Sequence, residues 1–297
     1  MPSSSPTPSP FSGLWIPLVT PFDAADRVDH GALAALVRDL RGRGIAGFVA
    51  CGSTGEAAAL TSEEQLAVLD TTLEAAQGLP VMMGVGGYRL HSAIATMHAV
   101  CTRPVAGVLV AAPYYIRPSQ DGLLLWFRTL ADTSRVPLVL YDIPYRTGAN
   151  LSLSTLLTLA GHDRIQAIKD CGGDAAKTAA LIADGRLAVL AGEDVQLFGA
   201  MALGASGAIA ATAHLHTERF AQVVALLQDG ALAAARTLWQ PLLPWVQAAF
   251  EEPNPGPIKA LLAETGLMQA TLRAPMTAPS AALLQRLRAL QAPLVPG

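Results

Sequence analysis

The 297-residue sequence predicts an α/β protein, a (β/α)8 or TIM barrel carrying a C-terminal helical appendage. Three observations lead there. Short apolar runs that read as strands buried on both faces alternate with longer segments of helical periodicity. Eight such strands can be counted, the number of a closed parallel barrel, whose usual size is roughly 250 residues. After about Asp229 the strands cease and only helical pattern continues. An open doubly wound sheet is the competing architecture, and it is weakened because "VTPFD", not a GxGxxG turn, follows the first strand.

In order, strands are expected at residues 14–19 (LWIPLV), 45–50 (IAGFVA), 80–85 (PVMMGV), 105–111 (VAGVLVA) and 136–142 (VPLVLYD). Three more follow at 165–169 (IQAIK), 187–192 (LAVLAG) and 206–211 (SGAIAA). Between them, "HGALAALVRDLRGRG" and "TSEEQLAVLDTTLEAAQG" keep the spacing of amphipathic helices. The second opens on Thr61 with Glu64 three residues later, a capping-box spacing, and Gly78 closes it. The Pro/Ser-rich start, residues 1–10, reads as a disordered tail and not a signal peptide. Residues 11–228 are assigned to the barrel, and 229–297 to an appendage interrupted by "EEPNPGP".

Composition restricts the function. With 52% hydrophobic, 14% charged and 5% aromatic residues, the core must be large and built from Ala, Leu, Val and Ile. A net charge of −3 without a basic stripe disfavours nucleic acid and anionic membranes as partners, while small anionic ligands remain compatible. Cys51, Cys101 and Cys171 form no CxxC, which fits a reducing compartment and an expected cytoplasmic location; Cys51 and Cys171, near the motifs below, read as small buried filler and not as nucleophiles. No apolar run is long enough to span a bilayer. His91, His98, His162, His214 and His216 show no HExxH pattern, and neither a metal nor a cofactor is expected.

Such barrels do chemistry at the C-terminal ends of their strands. "GSTGE" after the second strand offers hydroxyls and backbone N–H groups that could hold a carboxylate, or it is an ordinary capped turn. "YDIPYRTG" after the fifth brings Tyr141, a candidate proton carrier, and Arg146, a candidate carboxylate partner. Tyr114 and Tyr115 after the fourth suit packing at an interface. Lys169 ends the sixth strand, where lost hydration favours the neutral, nucleophilic amine; a solvated or ion-paired lysine is the alternative. Together with the hydroxyls, the turn and the arginine, Lys169 points to Schiff-base chemistry.

These motifs resemble the pyruvate-dependent class I aldolases of the dihydrodipicolinate synthase and N-acetylneuraminate lyase family. The resemblance runs from "LVTPFD" through "GSTGE", "YDIPYRTG" and "KDCGG" to "EEPNPGPIKALL". "PYYIRPSQDGL" is similar to the "PYYNRPSQEGL" of the dihydrodipicolinate synthase branch, as are the arginine of "YxxPxRTG" and the "EPNP.P.K" segment. The resemblance implies that Lys169 forms an imine with pyruvate and that Tyr141 shuttles protons. It implies that Thr54 links Tyr141 to Tyr115, which reaches into a neighbouring subunit's site. Backbone N–H groups of Ser53 and Thr54 would hold the pyruvate carboxylate, Arg146 the carboxylate of aspartate semialdehyde, and Gly192 and the Ile209 carbonyl would line the pocket. A homotetramer of tight dimers is implied as well.

Three departures from the family pattern stand out. Ser53 replaces a threonine, Asp142 an asparagine, and "KDCGG" replaces "KEATG"; the last two put the aldehyde substrate in question. At the positions of the family's lysine-inhibition site stand Ser62, Gln65, Tyr88 and Ser92, none a carboxylate, so feedback inhibition is expected to be weak or absent. Two other functions compete: an aldolase or dehydratase acting on a keto-deoxy sugar acid, and a non-catalytic keto-acid sensor. The joint presence of Lys169, Tyr141, Thr54 and Arg146 weighs against the sensor.

Overall fold

Apolar residues on both faces of a strand are satisfied when side chains pack inside a closed sheet with helices outside, or when helices cover both faces of an open one. The computed structural model, which describes residues 10–294, has the first arrangement; the expected tail lies, apart from Pro10, outside the described residues. Eight parallel strands close in sequence order: β1 (Gly13–Pro17), β2 (Gly47–Ala50), β3 (Val81–Val85), β4 (Gly107–Ala111), β5 (Leu138–Asp142), β6 (Ile165–Asp170), β7 (Ala188–Ala191) and β8 (Gly207–Ile209). β1 pairs with both β2 and β8, which completes the ring and excludes the open sheet.

Helices α1 (His30–Leu40), α2 (Ser62–Ala76), α3 (Leu90–Val100) and α4 (Gln120–Thr133) cover the first half. The single turn α5 (Pro144–Thr147), α6 (Leu153–Leu159), α7 (Ala175–Asp184) and α8 (Leu197–Ala202) cover the second. The capping box forms as expected, with Thr61 accepting from the Glu64 N–H and Glu64 from the Thr61 N–H. The turn out of α2 differs by one residue: Gln77, at φ +49°, takes the left-handed position ahead of Gly78.

Beyond β8 come α9 (Thr217–Gln228), α10 (Leu232–Ala249), α11 (Gly256–Glu264) and α12 (Ala281–Gln291). α10 runs 18 residues through Pro241 and Pro244 because Trp239, Leu242 and Trp245 are buried along it. Burial of that face outweighs the missing N–H groups.

Strand alternation divides the core in two. Trp15, Val49, Met82, Val139, Leu190 and Ile209 fill the barrel interior. Their neighbours in sequence pack outward against the helices, for example Ile16, Leu140 and Ile168. The interior set continues at its upper end into Tyr141, Ile143 and Cys171, at the ends of β5 and β6.

Candidate active site

β5 and β6 pair with Tyr141 opposite Lys169 and Asp142 opposite Asp170. Alternation then sends the first pair inward and the second outward. Lys169 is only 5% exposed and its Nζ lies 3.4 Å from the Tyr141 hydroxyl and 4.5 Å from the centre of that ring. The tyrosine, 6% exposed, also lies 3.3 Å from Ser53 Oγ. Burial pushes the Tyr141 phenol well above its usual range, and nearby Cys171 adds to this; Ser53 and Arg146 oppose it. The phenol is therefore neutral at physiological pH, able to give a proton and take it back.

Ser53 stands on the loop that leaves β2, between Cys51 (φ +52°) and Glu56 (φ +53°), both in the left-handed region that side chains avoid. Within the turn, the N–H groups of Gly55 and Glu56 donate to Gly52 and Ser53 carbonyls. Those of Ser53 and Thr54 have no acceptor among the described residues, so the turn presents two free donors. Glu56 is held by Lys259 Nζ at 2.7 Å and by the Arg273 N–H at 3.1 Å. The C-terminal appendage, through Lys259 on α11 and Arg273 on the segment that follows it, thus supplies contacts that keep the strained loop in place.

This geometry corrects the expected relay. Thr54 is buried and turns away from Tyr141, its Oγ1 accepting a 3.0 Å hydrogen bond from Asn254 Nδ2. Adjacent side chains in the turn face different neighbours, and Ser53 is the hydroxyl that meets the phenol. Tyr115 is 87% exposed at φ +73°, joined to the chain's own loop by its N–H to the Thr147 carbonyl. Tyr88 and Tyr114 pack edge to face beside it.

At the barrel mouth, Arg146 is exposed and has no carboxylate partner among the described residues; its guanidinium lies 5.9 Å from the Tyr145 ring centre. Gly192 sits against the lysine stem: a Cβ there would come within 2.8 Å of Lys169 Cγ and 2.4 Å of Cys171 Sγ, so only glycine fits. Ile209 is 1% exposed at the end of β8. Burial drives the Cys171 thiol well above its ordinary range, although Lys169 opposes this, and the group is a neutral thiol. Cys51 is likewise raised by burial, to about 12.

Asp142 and Asp170 do not reach the pocket, which counts against the expectation that the carboxylate at position 142 bears on the choice of aldehyde. Both lie in the helix layer: Asp142 pairs with Lys177 at 2.6 Å, and Asp170 accepts from Thr178 Oγ1 at 2.5 Å. Strand parity is the physical reason. Of the "DCG" departures, Cys171 alone faces the interior.

Four residues near the site escaped sequence reasoning. They are Asn254, which holds Thr54; Glu193, with Oε1 buried and unpartnered; Asp194; and Lys177. Asp194 is buried, accepts from the Thr212 N–H and hydroxyl, and has its carboxyl raised to about 6 by desolvation against those bonds. Their segments, "AGED" and "EEPNP", are visible in the sequence, but nothing local assigns their contacts. Among the described residues no group of three or more His, Cys, Asp or Glu side chains is placed to hold a metal ion.

The pattern of the Dihydrodipicolinate synthetase family matches residues 10–292. The 4-hydroxy-tetrahydrodipicolinate synthase of Sorangium cellulosum is 38% identical over 283 residues, 94% of each chain. The 4-hydroxy-tetrahydrodipicolinate synthase 2 of Clostridium acetobutylicum is 33% identical, over 93% of this chain and 97% of its own. Among solved structures, the dihydrodipicolinate synthase of Acinetobacter baumannii complexed with pyruvate superimposes with a TM-score of 0.93 at 32% identity, covering 95% of this chain and 98% of that one.

Proposed function

The chain belongs to the dihydrodipicolinate synthetase family, and from that premise we propose that it is a Schiff-base lyase condensing pyruvate with L-aspartate 4-semialdehyde. The observation that carries this reading is the buried Lys169 amine beside the Tyr141 phenol at the mouth of a closed barrel. Lys169 Nζ adds to the pyruvate C2 carbonyl and water leaves, giving an iminium ion. The iminium withdraws electrons, so the pyruvate methyl group loses a proton and becomes an enamine carbon. That carbon attacks the aldehyde, and hydrolysis frees Lys169. Tyr141 carries the protons, with Ser53 as its hydrogen-bond partner. The unpaired N–H groups of Ser53 and Thr54 suit the pyruvate carboxylate, and the unpaired Arg146 suits the carboxylate of the second substrate. Gly192 and the Ile209 carbonyl line the pocket. No cofactor takes part.

The outward placement of Asp142 removes one reason for considering a keto-deoxy sugar acid as substrate. The test is borohydride reduction with pyruvate followed by peptide mapping, with an adduct of pyruvate mass expected on the Lys169 peptide. No adduct there sinks the imine reading. Turnover of aspartate semialdehyde in preference to a panel of sugar-derived keto acids is the expected second result.

The exposed Tyr88, Tyr114, Tyr115 and Ile116 support a tight dimer within a homotetramer, with Tyr115 completing a partner's site. Among the described residues no helix is long and apolar enough to cross a membrane, and the three cysteines are free, which supports a cytoplasmic enzyme. Lysine inhibition is weak or absent in this reading, since Ser62, Gln65, Tyr88 and Ser92 supply no carboxylate for an α-amino group. A micromolar inhibition constant for lysine would contradict it.

A further inference from the structure

The β5–β6 ladder sets Tyr141 opposite Lys169, and their polar atoms meet at a long 3.4 Å, so whatever fastens the two strand ends to the helix layer bears on how the side chains face. There the Lys177 ammonium, on α7, makes three hydrogen bonds for its three protons. It donates to Asp142 Oδ2 at 2.6 Å, Asn150 Oδ1 at 3.2 Å and the Leu151 carbonyl at 3.1 Å. Asp142 is the residue after Tyr141, and its own carbonyl accepts from the Cys171 N–H at 2.8 Å, binding β5 to the chain two residues past Lys169. Its second oxygen accepts from the Leu151 N–H at 3.3 Å. On the next residue of α7, Thr178 holds Asp170, the residue after Lys169. One ammonium therefore joins the end of β5, the loop at 150–151 and the helix fastened to the end of β6.

The sequence departures fall into place around it. A Cβ on Gly172 would approach Lys177 Nζ to 2.8 Å and Asp142 Oδ2 to 2.9 Å, so the glycine of "KDCGG" leaves room for the ion pair. The three acceptors, a carboxylate, an amide oxygen and a carbonyl, are the hard oxygen set that suits a small cation. A hollow of about 300 Å³, lined in part by Asn150, Gly172, Asp174 and Lys177, reaches the Lys177 side of this cluster, while Asp142 is fully buried behind it.

We propose that Lys177 is a positioning residue whose ammonium acts as a tethered cation, fixing the ends of β5 and β6 so that Tyr141 faces the Lys169 imine. The idea rests on the Lys169–Tyr141 reading above and goes beyond it by assigning a function to a residue that touches no substrate. Lys177→Ala deletes the equivalent of propylammonium and leaves the buried Asp142 carboxylate without its counter-charge, behind a hollow that Lys177 itself lines. The expected result is a kcat lower by roughly 10- to 100-fold, since a small misplacement of reacting groups is costly. The KM for pyruvate stays within about twofold because the carboxylate-binding turn is untouched. Added propylammonium then restores kcat saturably.

The double variant Asp142→Asn/Lys177→Ala is the control, because free amines also form imines with the substrates in solution. Recovery must depend on Asp142. Lys177→Met keeps the volume, and is expected to fold and show the same loss of kcat without amine recovery. Full kcat in both single variants overturns the proposal. So does a loss in Lys177→Ala that amine does not relieve, or equal amine recovery in the double variant. Failure of both single variants to fold also overturns it, since the pair would then serve folding alone. Borohydride trapping on the unaltered protein is run alongside: no adduct there defeats the imine reading itself, whereas an adduct with indifferent Lys177 variants defeats only the positioning role.

Discussion

Ser53 and Thr54 carry the same functional group on adjacent residues and face different partners. Ser53 meets the Tyr141 phenol, while Thr54 takes a hydrogen bond from buried Asn254. Ser53→Ala is expected to lower kcat by about 10- to 100-fold with little change in stability, as removal of a proton-relay partner does. Thr54→Val is expected to act mainly on stability. It strands a buried amide whose Oδ1 is already unpartnered, at a cost of about 1–3 kcal/mol. Steady-state kinetics and urea unfolding on the two variants check both outcomes, and a larger kcat loss in Thr54→Val would reverse the assignment. The sequence offered two hydroxyls in "GSTGE", but which one faces the phenol depends on loop torsions and on a partner 200 residues away.

At the level of elements, the C-terminal appendage braces the loop that carries Ser53 and Thr54. Lys259, on α11, is fully buried and pairs with Glu56 at 2.7 Å while also donating to the Thr20 carbonyl at 2.8 Å. Glu56→Ala leaves that ammonium buried without its counter-charge and takes away the side-chain bonds that hold a left-handed position in place. Removing one member of a buried pair typically costs about 3–5 kcal/mol. A drop of that order in the unfolding free energy is expected, together with reduced pyruvate affinity because the free N–H groups of Ser53 and Thr54 sit on the same loop. Thr61→Ala, which breaks the capping box of α2, is expected to cost only about 1 kcal/mol. The strand and helix pattern was legible because burial on both faces writes itself into most strands as nearly continuous apolar residues. The continuation of α10 through Pro241 and Pro244 was not, since local rules end a helix there and only packing of Trp239 and Trp245 overrides them.

Across the whole molecule, two buried groups at the upper end of the barrel give stability opposite dependences on pH. His214 is neutral in the fold, its Nδ1 donating to the Ala211 carbonyl and its Nε2 accepting from the Val19 N–H; burial lowers its pKa to about 4. The unfolded chain binds that proton more tightly, so the contribution of His214 is full above pH 6.5 and is lost as pH falls toward 4, by roughly 3 kcal/mol. Asp194, raised to about 6, works the other way: its contribution is full below the ordinary carboxylate pKa and is lost as pH rises through 6. Urea unfolding between pH 4 and 7 is expected to show the stability of the unaltered protein falling toward that of His214→Asn as pH drops. Relative to Asp194→Asn it falls as pH rises. Parallel curves would mean that the two groups are not desolvated as the fold implies. Sedimentation tests assembly at the same scale, and a monomer would remove the proposed cross-subunit part of Tyr115.

By itself the sequence determined the number, order and type of the barrel elements, because apolar periodicity is set by burial and most strands carry that record locally. It also placed Lys169 and Tyr141 at strand ends and Arg146 on the segment that follows one, where a closed parallel barrel gathers its chemistry. Only the tertiary structure decided which side of each strand end a residue serves. One residue of parity sends Tyr141 and Lys169 into the pocket, and Asp142 and Asp170 into the helix layer. It likewise decided that Ser53 and not Thr54 meets the phenol, and that Lys177 stands behind them both. Such contacts join residues far apart in the chain, and no local pattern encodes the torsions that bring them together.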